Sequence, residues 1–407
     1  MRVMFLTQWF EPEPIMKGAA FARALADAGH HVEVVTGFPN YPTGRIYPGY
    51  RVGLFQKEII DGIAVNRLPL YPSHNKSSLG RAMNYLSFFL SVLIYGLWAA
   101  RRFDVVYVYH PPITVGAAAA LFGLINRRPF VVDIQDLWPD SVAASGMFGT
   151  GAISNVLDGI CNFVYRRAAA IVTQSHGFEA KLIERGVPPA KLTTIYNWAD
   201  EALTRPSGHC DAAVLVPRGR FNVVYGGNIG RAQALDAVVR AAKLAMDRSP
   251  GIQLTLIGNG VERDNLRRLV TEIGAHNVKI APGVPKSEIA DILAAADVLL
   301  VHLADDPLFE ITIPSKIQFY LAMGKPILIG MKGEAAKLVS SAGAGVTVPP
   351  EDIEAIARAM IELSQQPAEN LRAMGEKGKS FYERRLSVSA AIEATIRVID
   401  SVALQRK

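Results

Sequence analysis

Residues 221–233 read Phe-Asn-Val-Val-Tyr-Gly-Gly-Asn-Ile-Gly-Arg-Ala-Gln. A short apolar run ends in three glycines, at 226, 227 and 230, and an apolar-periodic segment over 234–245 follows. That order predicts a strand, a glycine turn and a helix. Glycines let a backbone approach a ligand closely, and a helix start offers N–H groups to an anion. Arg231 adds a permanent charge on a planar fork of donors that suits phosphate. The loop opens the second half of a chain whose first half also begins with a strand and a loop.

Working outward, the same alternation recurs on both sides. In the first half, strands are expected at 3–7, 31–36, 63–68, 105–109, 130–134, 170–173 and 192–195. A helix is expected over 17–29, where Ala, Phe and Leu recur at helical spacing and Gly29 supplies the stop. In the second half, strands are expected at 222–225, 253–257, 278–280, 298–301, 326–329 and 345–348. Helices are expected at 234–247, 262–273, 286–295, 315–323, 333–341 and 352–363. Such βα alternation implies parallel sheets with helices on both faces and ligands at the carboxyl ends of the strands. The expected class is α/β, two doubly wound Rossmann-like domains facing across a cleft. The seam is expected within 197–220, where Pro206, Gly208, Pro217 and Gly219 interrupt the pattern.

Composition agrees with that frame. At 407 residues the chain is long for one domain, and half its residues are hydrophobic. The 43 Lys and Arg against 37 Asp and Glu leave a net charge of +6 without a long basic block. This suits anionic substrates or a phospholipid surface and is too weak to argue for nucleic acid. Cys161 and Cys210, the only cysteines, have neither metal-ligand spacing nor a disulfide framework, which suits a reducing cytoplasm. The first residues read as a strand running into Pro12 and Pro14, not as a signal peptide.

One segment departs from a soluble pattern. Residues 83–100 are nearly continuous apolar sequence, relieved by Asn84, Ser87 and Ser91, with Arg81 before it and Arg101 and Arg102 after it. A spanning helix needs about 20 apolar residues, and a single span would place the two flanks of one sheet-forming domain on opposite sides. The expectation is a helix lying on the cytoplasmic membrane face, with Tyr85, Tyr95 and Trp98 at the interface. The alternative is a buried core helix.

Five stretches in order carry a family resemblance: 37–50, 133–139 (Asp-Ile-Gln-Asp-Leu-Trp-Pro), 197–200, 226–233 and 312–328. On them the chain resembles a family-4 retaining glycosyltransferase of the GT-B fold. It is most similar to the branch that adds N-acetylated deoxyhexoses, such as N-acetylfucosamine, in bacterial O-antigen, capsule or colanic-acid synthesis. The resemblance implies a UDP-sugar donor, a polyprenyl-diphosphate-linked saccharide acceptor, no metal or other cofactor, and a cytoplasmic protein peripherally bound to the inner membrane. It divides the chain into an acceptor-side domain, 1–198, a nucleotide-sugar domain, 199–380, and a C-terminal helix, 381–407, returning to the first domain.

The resemblance also assigns residues. Gly227, Asn228, Gly230 and Arg231 would cradle the donor diphosphate with Ser315 and Lys316, which follow Pro314 at a helix start. Charge on the diphosphate grows as the glycosidic bond breaks, so Arg231 and Lys316 would stabilise the leaving group. Gly258, Gly260 and Glu262 form a second turn, and Val284 and Pro285 lie where the base is gripped. Lys17 and Gly18 fall at the acceptor-side loop. His110 and Asp136 follow strands, and Asp136 is the candidate to orient or deprotonate the acceptor hydroxyl. Asp133 reads as a strand-embedded structural acid.

The chain departs from the family where two glutamates eight positions apart are usual, for counting back from 322–326 places Phe319 and Ile311 there. Glu310 is adjacent to the first position and is the candidate replacement. Loss of the second glutamate suits a deoxy sugar. Other classes fit less well. The first loop, 8–18, lacks the G-x-G-x-x-G of a nucleotide-sugar dehydrogenase or epimerase, and no Asp-x-Asp is present for a metal-dependent transferase. A catalytically weak, membrane-associated nucleotide-binding scaffold is the remaining alternative, because the glutamate pair is missing.

Overall fold

The computed structural model describes residues 1–73, 78–110, 112–140, 152–208 and 210–404. Pro111, beside His110 in the sequence, lies outside the described residues. Two compact units emerge. The first comprises Met1–Gln174, Phe178–Ile195 and Ile392–Lys407, and the second Ser175–Gly177 and Tyr196–Ala391.

The first unit is built on β1 (Arg2–Thr7), β2 (His31–Gly37), β3 (Gln56–Ile60), β4 (Ile63–Leu68), β5 (Val105–His110), β6 (Phe130–Ile134), β7 (Ala170–Thr173) and β8 (Leu192–Thr194). Its helices are α1 (Ala19–Asp27), α2 (Ser78–Ala99), α3 (Ile113–Asn126), α4 (Ala152–Arg167) and α5 (His176–Glu184). The eight strands lie in the order β3-β4-β2-β1-β5-β6-β7-β8. Every pairing is parallel except β3 with β4. Strands β5 and β6 are buried along their whole length, which is why they read as largely apolar runs. The wholly parallel sheet expected from the sequence is therefore corrected at one edge. Strand β3 carries Gln56, Lys57 and Glu58 and folds back through Asp61 and Gly62, both at positive φ (51° and 79°). A two-residue Asp-Gly loop with that geometry suits the twist of a hairpin.

The second unit contains β9 (Phe221–Gly226), β10 (Ile252–Ile257), β11 (Val278–Ala281), β12 (Val298–His302), β13 (Ile327–Gly330) and β14 (Gly345–Val348). Its helices are α6 (Leu235–Arg248), α7 (Arg263–Glu272), α8 (Lys286–Ala295), α9 (Pro307–Glu310), α10 (Ser315–Met323), α11 (Gly333–Ser341), α12 (Ile353–Ser364) and α13 (Ala368–Arg385). A last helix, α14 (Val388–Leu404), ends the described chain. The six strands are all parallel, in the order β11-β10-β9-β12-β13-β14. Alternate side chains build two cores. Val223, Leu254 and Leu300 pack on one face with α6 and α12. Val224, Leu299, Val301 and Ile327 pack on the other with α10 and α11, as the two-residue period of a strand requires. Chain order reverses direction between β9 and β12, so the loops after these two strands flank the point where open α/β sheets bind ligands.

Helix α2 is divided along its length. Asn84, Tyr85, Phe88, Val92, Gly96 and Ala99 face inward, and Gly96 meets the Phe122 ring of α3 so closely that a Cβ would lie 2.2 Å from Cδ1. Leu79, Met83, Leu86, Leu90, Ile94 and Trp98 are exposed and recur every three or four residues, which sets them on one helical face. Among the described residues, Ser78–Arg102 is the one helical stretch long and apolar enough to cross a membrane, with mean hydropathy 1.4 and 39% of its window buried. One side of the helix is therefore core, and the other is an exposed apolar stripe.

Candidate active site

In the second unit, the loop after β9 is braced from several directions. Gly226 N–H donates to the Tyr320 hydroxyl (3.1 Å), and the Tyr225 hydroxyl donates to Asn228 O (2.5 Å). Gly227 N–H donates to Ile257 O (2.8 Å) and Ile229 N–H to Asn259 O (2.8 Å). Gly230 N–H donates to Gln233 Oε1 (2.9 Å), which also accepts from Asn228 Nδ2 (3.2 Å). The N–H groups of 227, 229 and 230 are thus already committed within the protein. A single 3-10 turn, Arg231–Gln233, also stands between the glycines and α6, so no long helix begins at Gly230. Full positive charge beside these loops comes from side chains.

Two side chains supply it. Lys316, in the first turn of α10, carries its Nζ 4.9 Å from the Tyr225 ring centroid. Its tail runs along Gly227, where a Cβ would lie 2.3 Å from Lys316 Cε and φ is +145°. Burial pulls the ammonium below its ordinary value of 10.5. Arg231 is 89% exposed and pairs with Glu262 at 3.3 Å. Glu262 also accepts from Asn265 Nδ2 (2.7 Å), and that bond, ahead of Arg231, holds its carboxyl below the usual range.

Gly258 and Gly260 let the next loop close against the first. A Cβ at 258 would lie 1.7 Å from Gly227 O, and one at 260 would lie 2.0 Å from Ile229 O. Gly230, Arg231, Glu262, Asn265 and Glu351 line a cavity of about 440 Å³. Lys316 is not among its lining residues. Val284 packs against the core, Pro285 precedes α8, and Ser315 opens α10 with Pro314 before it. Glu310 is exposed at the end of α9. Phe319, at one of the family's glutamate positions, packs against apolar core instead of presenting a polar group.

In the first unit, the strand-end loops are held by buried charges that inspection of the sequence missed. Arg67 is fully buried. It donates to Glu58 Oε1 (2.5 Å), to Gly37 O (3.0 Å) and to Glu11 O, and lies over the Tyr50 ring at 4.7 Å. Glu13 accepts from Asn40 N and Tyr41 N (2.7 Å each) and from Phe10 N (2.9 Å). Burial nevertheless pushes its carboxyl up to about 7. Gln8 Nε2 donates to Asn84 Oδ1 (2.6 Å), whose Nδ2 reaches Asn40 Oδ1 (3.3 Å), tying α2 to the same loops. A polar residue on the inward face of an apolar helix was the visible signal.

Two expected acceptor-side residues need correction, and the catalytic candidate His110 is buried. Lys17 is fully buried and forms an ion pair with Asp133, which also accepts from the Tyr107 hydroxyl (2.6 Å) and Gln135 Nε2 (2.6 Å). It is a core cation, not an anion-facing loop lysine. Gly18 precedes α1, where the Glu11 carboxylate accepts from Ala19 N (2.7 Å) and a Cβ on residue 18 would lie 1.9 Å from Glu11 Oε1. The place a phosphate would take is thus filled by the protein's own anion. His110 is fully buried, edge-on to Trp138 at 6.3 Å, and neither ring nitrogen is hydrogen-bonded to another described residue. Burial lowers it to about 3, so the ring is neutral and packed in the core. Asp136 keeps its candidacy, half-buried in the bend after β6 with burial pushing its carboxyl up. Among the described residues no three His, Cys, Asp or Glu side chains group as a metal site would require.

Two family models match the chain. Residues 19–198 match the glycosyl transferase 4-like domain, and residues 211–381 match glycosyl transferases group 1. The chain belongs to the nucleotide-sugar-dependent glycosyltransferases of the GT-B fold. It is 27% identical over 332 residues to WbjE of Pseudomonas aeruginosa, named as a glycosyltransferase, covering 79% of this chain and 81% of that one. It is 26% identical over 376 residues to WcaI of Escherichia coli K12, named for colanic acid biosynthesis, covering 89% and 90%. The crystal structure of Anabaena HepE in complex with UDP superposes with a TM-score of 0.64 at 18% identity, covering 98% of this chain and 100% of that one.

Proposed function

We propose that the protein transfers a sugar from a UDP-sugar to a polyprenyl-diphosphate-linked saccharide during bacterial surface polysaccharide synthesis, with retention and without a metal. An N-acetylated deoxyhexose such as N-acetylfucosamine is the proposed sugar, because Phe319 offers no hydrogen bond where the family's second glutamate grips a hydroxyl. The observation that carries the reading is Lys316, a half-buried cation held against Gly227 at the carboxyl end of β9. A cation already stripped of much of its water stabilises a departing diphosphate without reorganising at the moment of bond breaking. Arg231 adds a second, exposed charge. On the first unit, Asp136 receives or orients the acceptor hydroxyl proton; burial raises its basicity toward that task.

The lipid-linked acceptor is reached through α2. Its exposed stripe of Leu79, Met83, Leu86, Leu90, Ile94 and Trp98 suits the apolar side of a headgroup layer. Arg102 lies over the Trp98 ring at 5.0 Å and beside Arg101, and each such cation near an anionic surface adds about 1 kcal/mol. The test is a panel of UDP- and GDP-sugars screened by thermal shift, since a ligand of the folded state raises its apparent stability. Turnover with a lipid-linked acceptor follows, the anomer being read by NMR. A UDP-sugar that stabilises the protein and yields the donor's own anomer supports the reading. Stabilisation by GDP-sugars alone, or an inverted product, contradicts it.

A further inference from the structure

The loops after β9 and β12 are tied together where the strand order reverses, and one buried side chain extends that tie to the loop after β14. His302, the last residue of β12, is 1% exposed. Its Nδ1 lies 2.7 Å from Gln233 O, and its Nε2 lies 3.0 Å from Glu351 N. A carbonyl oxygen only accepts and an amide N–H only donates, so Nδ1 carries the proton and Nε2 is bare. Both ring nitrogens are used and the tautomer is fixed. The backbone follows the same path, with Ala304 N–H donating to Ala232 O at 2.9 Å. Room for the imidazole is cut into the neighbouring strand: a Cβ on Gly330 would lie 2.3 Å from His302 Cδ2. Gln233, gripped through its carbonyl, spends its side chain on Gly230 N and Asn228 Nδ2.

We infer that His302 is a positioning residue for the proposed donor site, holding Gln233 and through it the conformation of Asn228, Gly230 and Arg231. The inference rests on the donor reading above, and nothing in the chemistry needs His302 to touch the nucleotide. Burial keeps the imidazole below its ordinary value, and the bond to Gln233 O, with the acids Glu351 and Asp236 facing the ring, offsets that only in part. The bond pattern therefore stays intact through the neutral range.

UDP affinity by calorimetry and amide hydrogen exchange across 226–233 are to be measured on the full chain, on His302→Phe and on His302→Asn. The Phe variant keeps the ring volume and loses both bonds. UDP binding is expected to weaken at least tenfold, with faster exchange at Gly230. The Asn amide can replace Nδ1 toward Gln233 O, and should recover most of both effects. A folded Phe variant with UDP affinity within twofold and unchanged exchange overturns the inference. An Asn variant as impaired as Phe overturns it too. Should His302→Phe not fold, Gly330→Ala displaces the same ring and replaces it in the comparison. If the unmodified chain does not bind UDP, the donor reading fails, while the exchange data still decide whether His302 holds the loop.

Discussion

The ammonium of Lys316 sits 4.9 Å from the centroid of the Tyr225 ring, joining the first turn of α10 to the end of β9. The lysine tail fills the space that any side chain on residue 227 would need. Lys316→Ala is expected to reduce turnover at least a hundredfold, and Lys316→Arg should not restore it, because a guanidinium cannot follow the same path past Gly227. Gly227→Ala should resemble Lys316→Ala. Burial lowers the lysine, so its charge is present at low and neutral pH and is lost as pH rises through a value below 10.5. Turnover should fall on that alkaline limb. Steady-state rates across pH check all of this.

Arg231 and Glu262 make an exposed pair, and such pairs contribute little to stability. Arg231→Ala should leave the melting temperature unchanged and cost about two decades of turnover, the scale of one charge on a developing anion. Glu262→Gln removes the negative charge that Arg231 and Asn265 share and should change donor KM less than tenfold.

Lys17 and Asp133 are 116 residues apart in sequence and both fully buried. Lys17→Met leaves a carboxylate in the core without its cation, a change that costs about 3–5 kcal/mol. Denaturant unfolding should show that loss, and adding Asp133→Asn should recover much of it. Equal stability of the single variant and the unmodified chain would sink the structural assignment of this pair.

Asp136→Asn should abolish transfer while UDP binding is nearly retained. Ionised Asp136 is present above its folded pKa and lost as pH falls through it. That value is raised by burial, so the acid limb of kcat/KM should lie above the ordinary 3.8. Unchanged transfer by a folded Asn variant relegates the residue to structure.

Membrane docking makes a separate demand. Phe88 is fully buried, so polar substitution there tests folding and not binding. Leu86→Ser, Leu90→Ser, Ile94→Ser and Trp98→Ser together alter the exposed stripe alone. Sedimentation with anionic vesicles should pull down the unmodified chain and leave the fourfold variant in solution, with donor binding retained. If both stay in solution, α2 does not bind lipid.

Much of the fold was legible because parallel strands buried on both faces read as apolar runs, and the glycine loop after β9 marks itself. The one missed strand, β3, is polar and lies at the sheet edge, yet Asp61 and Gly62 between two short runs carried a hairpin signal. Site chemistry was less legible where it depends on partners remote in sequence. Lys17 looks like a loop lysine until Asp133 is beside it. Gly230 looks open to phosphate until Gln233 folds back onto it, and His302 reads as the end of a strand until it meets Gln233 and Glu351. Lys316 was readable because Pro314 and Ser315 fix it at a helix start.

The central claim, that a UDP-sugar is held by side-chain charge at the end of β9, is tested most directly by UDP calorimetry in EDTA on the full chain and on the Arg231→Ala, Lys316→Ala double variant. Binding by the unmodified chain without metal, weakened at least a hundredfold in the double variant, is the expected result. Equal affinity in the two proteins, or binding that appears only when Mg²⁺ or Mn²⁺ is restored, would contradict it.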